Sequence, residues 1–514
     1  MTGSAGMMSD YGGMPYWAFA SALPDEFFRS FMENWLFPTR SNEEGRIPVA
    51  PLALSKVESI LLHHGFTRDQ VIIADPRRLD EVVGPRTRVL GLTTMDPLGV
   101  SFGSGIMYVL MRLLGYTPKG GPFTRRAFLE VLQHPSLGTH RPKVIIGGPA
   151  VWQFLDLTNP SEWGIDCVME GEGEKTIPEV FGQVVRGDPI PSVVHGRPVP
   201  AEDIPPIITP STGGMVEITR GCGRGCKFCH PTLLAFRSMP LEAIEKEVRL
   251  NVEAGTDTVC LHSEEFFRYG VRGLTPDPAQ LRRLLERISR ITGEEVALET
   301  DFSAAATIMS KPEVVPLAAE YMTQDRWSYI EMGIETPSPR LIKQIMPGKV
   351  LPYQPEEYGD VVEQAVGLLN DHRWLVCATM IINIPGEREE DVIAALELMD
   401  RLKGYKVTVH ALPFIPMGAL RKRPQTVYDE VLANPLQTEL MIQGFLLTNR
   451  TLQGGEGRRL ACRGTSSLLS YVTRHGLLWA TASYATKKLE ARLHALRRSL
   501  KDAEPRARSV PVHP

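Results

Sequence analysis

The stretch that decides the fold is Gly221-Cys222-Gly223-Arg224-Gly225-Cys226-Lys227-Phe228-Cys229-His230, in which three cysteines follow the spacing Cys-x3-Cys-x2-Cys. An apolar run at 215–219 precedes it and predicts a β-strand, and a helical pattern follows at 241–253. Three thiolates on one tight loop can hold three irons of a cubane cluster, which leaves the fourth iron open to a small molecule. The three glycines let the loop fold closely around such a core.

Other interpretations of this loop are weaker. A zinc site usually needs four ligands, and the adjacent side chains of Cys229 and His230 cannot easily converge on one metal. A ferredoxin-type cluster would need further cysteines nearby, and seven cysteines in 514 residues are too few for a disulfide scaffold. The other four cysteines are scattered: Cys167, Cys260, Cys377 and Cys462. We therefore favour an iron–sulfur cluster with an open iron, in the reducing cytoplasm.

Length and composition indicate a soluble protein of two or three domains. A net charge of −4 gives no general nucleic-acid signature, so no nucleic-acid partner is expected. The first 16 residues lack the pattern of a secretory signal. The most apolar late stretch, 468–485, is too polar for a helix that spans a membrane.

The segment 47–187 alternates strand-like and helix-like patterns, which indicates a parallel sheet of Rossmann-like or flavodoxin-like type. The predicted strands are 71–74, 87–94, 143–146 and 166–169. Ligands of such sheets lie beyond the carboxyl ends of the strands, so the loops there are the candidate ligand surface. These loops contain Thr94, Asp96, Gly147, Gly148, Pro149, Glu172 and Gly173.

The alternation resumes after the cysteine loop and predicts five more strands. They are 258–262, 295–300, 329–335, 376–383 and 406–412. Together with 215–219 they fit a partial (β/α)6 TIM-like barrel, whose active-site residues belong at the carboxyl ends of the strands. Polar or turn-forming residues lie at those ends: Glu264, Glu265, Glu335, Pro385, Gly386 and Glu387.

The cysteine loop resembles the signature of the radical S-adenosylmethionine (radical SAM) superfamily, in which an aromatic residue, here Phe228, precedes the last cysteine. The resemblance implies a 4Fe–4S cluster on Cys222, Cys226 and Cys229 that chelates SAM and cleaves it reductively to a 5′-deoxyadenosyl radical. It also implies a SAM-binding set that includes Phe228. In this set Glu264 and Glu265 lie near the amine, Glu335 near the ribose, and Pro385 and Gly386 near the adenine. An electron donor such as flavodoxin or ferredoxin is then an expected partner.

The first half resembles the cobalamin-binding domain that precedes the barrel in one radical SAM subgroup. The resemblance rests on the Gly-Gly-Pro turn at 147–149 and the Gly-Glu-Gly-Glu turn at 171–174. It implies cobalamin contacts from Thr94, Asp96, Gly147, Gly148, Pro149, Glu172 and Gly173. The Asp-x-His-x-x-Gly motif that supplies a cobalt ligand in many such domains is absent, and His63 and His64 lie on a predicted helix. Either cobalamin binds without a histidine ligand, which we favour, or the domain keeps only a structural or substrate role.

The expected organisation has six parts. They are a lead-in helix at 1–46, a cobalamin-binding-like domain at 47–196, a Pro-rich linker at 197–214, the barrel at 215–420, a helical region at 421–503 and a disordered tail at 504–514. The lead-in helix has an aromatic stripe: Phe27, Phe28, Phe31, Trp35 and Leu36. The last helix, 487–501, is basic; a solvated face is the ordinary use of such a charge run, and peripheral contact with an anionic membrane is the sharper alternative.

Three functions are compatible with these features. The first is cobalamin-dependent methylation of an unactivated carbon of a small-molecule or lipid substrate. The second is radical cyclisation or carbon–carbon coupling on a lipid or natural product without methyl transfer. The third is a non-catalytic sensor of cobalamin or SAM, which the three-cysteine loop disfavours because binding alone needs no reducible cluster.

Overall fold

The computed structural model describes residues 1–9, 20–28, 33–34, 36–230, 235–324, 326–424, 426–455 and 483–499. This part of the chain has a mixed α/β fold with parallel sheets, as the sequence predicts at that level. Within these ranges, we find no helix that is both long enough and apolar enough to cross a membrane. Phe31, Trp35, Cys462, the tail at 504–514 and nearly all of the apolar stretch at 468–485 lie outside the described residues.

The first sheet has four parallel strands in chain order. They are β1 (Val89–Thr93), β2 (Lys143–Gly147), β3 (Cys167–Glu170) and β4 (Val193–His195). Alternate residues of β2 enter different cores: Val144 and Ile146 pack with Phe154 on one face, and Ile145 packs with Phe181 on the other. Burial on both faces explains why these strands are nearly continuous apolar runs.

The predicted strand at 71–74 is wrong, and β4 was not predicted. The chain's first residues take the edge position beside β1, where Thr2 donates its backbone N–H to Gly91 and accepts one from Thr93. Residues 71–74 then pair with this terminus, and Ala74 donates its N–H to the carbonyl of Met1 over 2.8 Å. A pairing this distant in sequence leaves no local pattern to detect.

In the fully described range 52–186, seven helices surround this sheet. They are α1 (Leu52–His63), α2 (Leu79–Val82), α3 (Phe102–Leu113), α4 (Phe123–Leu132), α5 (Pro135–His140), α6 (Trp152–Leu157) and α7 (Thr176–Arg186). Helix α3 departs from the pattern, because Ile106, Val109 and Leu113 pack into the core of the second half of the chain. The two halves of the molecule are therefore joined by an apolar contact as well as by the linker.

The described residues of the second half form two short paired strands and six longer parallel ones. The pair is β6 (Thr219–Arg220) with β7 (Arg237–Ser238), which is antiparallel. The parallel strands are β5 (Met215–Glu217), β8 (Thr258–His262), β9 (Ala297–Thr300), β10 (Ser328–Glu335), β11 (Trp374–Ile382) and β12 (Val407–Pro413). They form the sheets β5-β8-β9 and β10-β11-β12, which a parallel bridge between Phe302 and Glu331 connects.

Helices separate successive parallel strands. They are α8 (Leu241–Glu253), α9 (Pro278–Thr292), α10 (Ala305–Ser310), α11 (Val314–Met322), α12 (Pro339–Ile345), α13 (Tyr358–Asp371) and α14 (Glu389–Leu402). Along β10, fully buried residues alternate with half-buried ones, as expected when one face packs on helices and the other faces an interior space. The half-buried residues of β10 are Tyr329, Glu331, Gly333 and Glu335.

Three helices complete the described chain: α15 (Tyr428–Ala433), α16 (Pro435–Gln453) and α17 (483–499). Helix α16 lies against β12, where the Thr448 hydroxyl donates to the carbonyl of Val409 over 3.1 Å. Basic residues of α17 bind within the protein, since Arg497 pairs with Glu439 at 2.7 Å and Arg492 donates to the carbonyl of Leu113. Part of the predicted basic face is thus engaged by the protein's own groups.

Candidate functional site

The three cysteines lie in the loop of a β-hairpin. Strands β6 and β7 form its stem, and the described part of the loop that carries the cysteines is 221–230. Gly221, Gly223 and Gly225 have φ angles of 76°, 71° and 70°, a left-handed conformation that favours glycine. Cys226 is buried, and Cys222 and Cys229 are half-buried. The loop is therefore tightly wound, as its glycines predict.

Buried side chains, above all the guanidinium groups of Arg224 and Arg268, fix this loop to the neighbouring elements. The Arg224 guanidinium forms an ion pair with Glu265 and donates to the Thr307 hydroxyl at 2.5 Å and to the carbonyl of Gly348 at 3.0 Å. Gly348 and Gly418 lie so close to the loop that a Cβ atom on either one would overlap its backbone carbonyls. Arg268 also donates to the carbonyl of Cys222 over 2.7 Å. The loop is thus fixed in one conformation by contacts from several elements.

The thiols fit an iron–sulfur cluster by donor type and by surroundings. Burial raises the pKa of Cys222 to about 11, and the hydrogen bond between the Cys226 and Cys229 thiols raises the pKa of Cys229 and lowers that of Cys226. The Lys349 ammonium lies close enough to both thiols to favour their ionised forms. Among the described residues, no group of three or more His, Cys, Asp and Glu side chains gathers around a single-ion position. Three thiols on one loop match a cubane with one open iron.

The two adjacent glutamates after β8 have different surroundings. Glu265 is 1% exposed; besides Arg224, its carboxylate accepts from Thr307 over 2.8 Å and from the N–H of Ala304 over 3.3 Å. Burial opposes its ionisation, but the cation of Arg224 holds the pKa of Glu265 below its usual value. Glu264 is half-buried and has no hydrogen bond or ion pair to another described residue. Of the two, only Glu264 offers a carboxylate that is free to accept from a ligand.

Glu335 at the end of β10 forms an ion pair with Lys349 at 3.2 Å. Its φ of 63° is unusual for a residue with a side chain, and the strand register shifts here. The Thr379 hydroxyl donates to the carboxylate over 3.5 Å, and Gly333 leaves the space that the ion pair occupies. The structure therefore brings Glu335 close to the cysteine loop through Lys349, which no sequence pattern indicates.

The turn after β11 lies at the rim of the interior. Gly386 is exposed and has a φ of 86°, and its carbonyl accepts from Arg340 over 2.8 Å. Pro385 is half-buried, whereas Glu387 binds Gln437 at 2.6 Å and burial raises its pKa to about 7. Phe228 is 9% exposed and packs in the large core. Gly386 is thus the most accessible of these residues.

A group of titratable side chains lies deeper on the interior face of β8 to β10. His262 is hydrogen-bonded to Asp301, and although burial lowers its pKa, this carboxylate raises the pKa to about 9. Asp301 also accepts from the N–H of Ser263 over 2.9 Å. Burial and the nearby Asp301 raise the pKa of Glu331 to about 7. The interior is therefore polar and predominantly acidic.

Of the predicted cobalamin residues after β1 and β2, Thr94 and Asp96 bind other groups of the protein. Thr94 donates its hydroxyl to the carbonyl of Gly147 over 2.8 Å, and Gly148 lies so close that a Cβ atom there would be 2.6 Å from the Thr94 carbonyl. The Asp96 carboxylate accepts from Ser104, Gln153 and the N–H groups of Val100 and Ser101. Gly147 has open space around the position of a Cβ atom, and Pro149 is exposed.

The Gly-Glu-Gly-Glu turn contacts the hairpin that carries the cysteines. Glu172 pairs with Arg220 at 3.0 Å and with Arg237, and Glu174 accepts from Arg220 over 2.5 Å. Gly173 packs on Ile177. His64 lies at the C-terminal end of α1, and its ring Nδ1 atom is 2.8 Å from the carbonyl of Ile60 in the last turn of that helix. This is the ordinary position of a helix-end histidine. The sequence predicts this turn as a ligand surface, but its acidic side chains bind arginines from the second half.

A match to a known family covers the residues of this site. Residues 216–399 match the radical SAM superfamily, so this part of the chain is similar to a radical SAM domain. The match begins in β5 and includes the cysteine loop, Glu264, Glu265 and Glu335. It does not include the first sheet.

Two curated relatives each resemble the chain over less than half of its length. An uncharacterized protein of Methanopyrus kandleri is 28% identical over 224 residues, which are 41% of this chain and 40% of that protein. A probable threonylcarbamoyladenosine tRNA methylthiotransferase of Archaeoglobus fulgidus is 25% identical over 267 residues, 48% of this chain and 59% of that one. The chain thus spans about half the length of the curated relatives it matches.

One solved structure is similar over a larger share of the chain. It is the radical SAM methyltransferase TsrM of Kitasatospora setae with cobalamin and a 4Fe–4S cluster bound. The match covers 72% of this chain and 71% of that one, at 17% identity and a TM-score of 0.49.

Proposed function

We propose that the protein cleaves SAM reductively at a 4Fe–4S cluster on Cys222, Cys226 and Cys229 and uses the radical for cobalamin-dependent methylation of an unactivated carbon. The observation that carries this proposal is the position of the cysteine loop. The loop lies between the polar interior of β8 to β10 and the carboxyl edge of the first sheet. Its Arg224 pairs with Glu265 on the first side, and Arg237 at its base pairs with Glu172 on the other. A radical formed at this loop would arise where both parts of the chain can present a reactant.

The chain's own residues would bind and orient SAM. A cluster bound by the three thiols supplies the electron that cleaves SAM. The free carboxylate of Glu264 would accept from the SAM amine, since a carboxylate is the natural acceptor for an ammonium group. Glu335 would accept from the ribose hydroxyls, held in place by Lys349. The backbone of Pro385 and Gly386 would border the adenine, and Glu265 would act by holding Arg224.

This assignment includes the domain layout. We propose a cobalamin-binding-like domain at 47–196, a linker at 197–214, a partial (β/α)6 barrel at 215–420 and a helical region at 421–503. The chain order of the parallel strands β5, β8, β9, β10, β11 and β12 supports the barrel.

Features of the first sheet support a cobalamin site at its carboxyl edge. Met95 and Phe102, in or just after the loop that follows β1, are 59% and 45% exposed, and an exposed apolar surface suits a large flat ligand. Gly147 leaves room around the position of a Cβ atom at the end of β2. Cobalamin bound there supplies a methyl carrier. We propose that the backbone at Gly147, Gly148 and Pro149 contacts it, because Thr94, Asp96 and Glu172 already bind protein groups.

A steric block tests the cobalamin proposal. A leucine at Gly147 meets no protein atom near its Cβ, so Gly147→Leu should fold with an unchanged Tm. It should lose the cobalamin that copurifies with the wild-type protein when the vitamin is supplied during expression. Gly404→Leu, at another glycine with open space around it, is the matched control and should keep cobalamin. Absence of cobalamin from the wild-type protein would count against methylation.

The second candidate function is radical cyclisation or carbon–carbon coupling on a lipid or natural product without cobalamin. The observation that favours it is that Asp96 and Glu172, two predicted cobalamin contacts, are buried against protein partners. The reaction products separate the two candidates. Methylation predicts S-adenosylhomocysteine together with 5′-deoxyadenosine in a substrate-dependent reaction, whereas coupling predicts 5′-deoxyadenosine alone. Methylthiolation is not carried over from the relatives named for it, because this chain spans only 59% and 55% of the length of two of them.

A further inference from the structure

We infer that Glu172 is a positioning residue for the cysteine loop: the first half of the chain holds the stem of the hairpin through this carboxylate. The inference rests on the proposed function only in that the loop carries a cluster. Its geometric basis is independent of any bound group, because it concerns contacts between protein side chains.

The stem of the hairpin brings two arginines face to face. Arg220 in β6 and Arg237 in β7 are direct partners in the antiparallel register. Like charges directly opposite each other in such a pair destabilise it. The cysteine loop connects these two residues, so repulsion between the arginines would open the loop at its base. Something must therefore compensate the two positive charges.

Glu172 supplies this compensation to both arginines at once. Its Oε2 atom accepts from Arg220 Nη1 over 3.0 Å and also from Arg237 Nη2. The side chain of Glu172 is only 3% exposed, so water weakens these ion pairs little. Arg220 has further carboxylate partners in Glu217 and Glu174. For Arg237, by contrast, Glu172 is the sole carboxylate partner among the described residues.

The turn that carries Glu172 is itself rigidly placed. Gly171 has a φ of 98°, and a Cβ atom there would lie 2.6 Å from the carbonyl of Gly196. A Cβ atom on Gly196 would overlap the backbone of Glu172, and one on Gly173 would overlap Ile177. Gly171 thus lets the turn fit against the end of β4, and Gly173 lets it fit against α7. The Gly-Glu-Gly-Glu turn thereby places Glu172 and Glu174 against the arginines of the hairpin.

A second charge contact joins the same regions. Lys56 of α1 lies 2.5 Å from Glu247 and 3.7 Å from Glu217, which forms a bidentate pair with Arg220. The stem is therefore tied to the first half at more than one point, but among the residues that the structure describes only Glu172 bridges both of its strands. Removal of the Glu172 charge should loosen the loop while the fold persists.

Hydrogen–deuterium exchange of the full-length protein tests this inference without a cluster. In Glu172→Gln, amides of residues 221–230 should exchange about tenfold faster than in the wild type, because one partner of a buried charge pair is removed. Glu179→Gln, at an exposed position of α7, is the matched control and should leave this exchange unchanged. Arg237→Gln removes one of the two facing positive charges, so the double variant Glu172→Gln/Arg237→Gln should regain most of the protection that Glu172→Gln loses. Arg237→Lys keeps the positive charge and should not rescue Glu172→Gln.

The rate at which the cluster releases iron separates a positioning role from a general effect on stability. After anaerobic reconstitution, Glu172→Gln should lose iron to a chelator about tenfold faster than the wild type, with the Tm of the whole chain changed by no more than a few degrees. Unchanged exchange at 221–230 in Glu172→Gln would overturn the inference. Faster exchange throughout the chain would also overturn it, since the effect would then be a general loss of stability. A wild-type protein that binds no cluster would contradict the proposed function alone, since the exchange result still decides the role of Glu172.

Discussion

Arg224 and Glu265 form an ion pair in which each side chain is only 1% exposed. The pair joins the middle of the cysteine loop to the end of β8, and Thr307 binds both partners. The neighbouring Glu264 has no such partner among the described residues. Two consecutive glutamates thus have different tasks: one fixes the loop, and the other is available to a ligand.

Replacement of Glu265 or Glu264 by glutamine should separate the effect on stability from the effect on SAM binding. Glu265→Gln should destabilise the protein by about 3 kcal/mol, because it leaves the buried Arg224 cation without its counter-charge. Glu264→Gln should change stability by less than about 0.5 kcal/mol and should weaken SAM binding instead. Urea unfolding and calorimetric titration with SAM measure the two effects. Equal loss of stability in both variants would contradict the assignment.

The Gly418→Ala substitution should displace the cysteine loop. Gly418 has a φ of 53°, and a Cβ atom there would overlap the carbonyl of Cys229. We expect iron content after anaerobic reconstitution to fall several-fold. Gly138→Ala, at a glycine with open space and an ordinary φ, should keep the wild-type iron content. If Gly418→Ala retains a full cluster, the close contact has no functional consequence.

The His262–Asp301 pair should make stability depend on pH. The pKa of His262 is raised to about 9 in the folded protein, above the value of about 6.5 expected in the unfolded chain. The folded state therefore binds the proton more tightly, so this contribution is fully present below pH 6.5 and is lost as the pH rises through 9. The difference in unfolding free energy between the wild type and His262→Gln should shrink across that range. A difference that stays constant from pH 6 to about 9.5 would show that the pair does not titrate this way.

Asp96→Asn should act on stability rather than on cobalamin. The Asp96 carboxylate accepts hydrogen bonds from Ser104, Gln153 and two backbone N–H groups, which organise the loop between β1 and α3. We expect a loss of about 1–3 kcal/mol, typical of an impaired buried polar network. The folded variant should bind as much cobalamin as the wild type. Selective loss of cobalamin at unchanged Tm would instead make Asp96 a direct ligand.

The sequence predicts the parallel strands well because each is a short apolar run between turn signals. The predicted strand 258–262 is β8, and 329–335 differs from β10 by one residue. The prediction at 71–74 is wrong because the first residues of the chain take the place beside β1, and 71–74 bonds to those residues instead of joining the sheet. A local sequence pattern contains no information about a contact this distant in sequence. The cofactor contacts that the resemblance implies remain predictions. Motif spacing locates the turn that carries Glu172, but it does not identify the arginines that its side chain binds. Lys349 carries no sequence signal, since only the fold brings it to Glu335.

The most direct test of the central claim is product analysis of the anaerobically reconstituted enzyme with SAM and a strong reductant. The wild-type protein should show a 4Fe–4S spectrum and form 5′-deoxyadenosine. Cys222→Ala, Cys226→Ala and Cys229→Ala should each lose both the spectrum and the product, while Cys167→Ala, outside the loop, should keep both. Formation of 5′-deoxyadenosine by all three loop variants at the wild-type rate would contradict the assignment of this loop as the site of SAM cleavage.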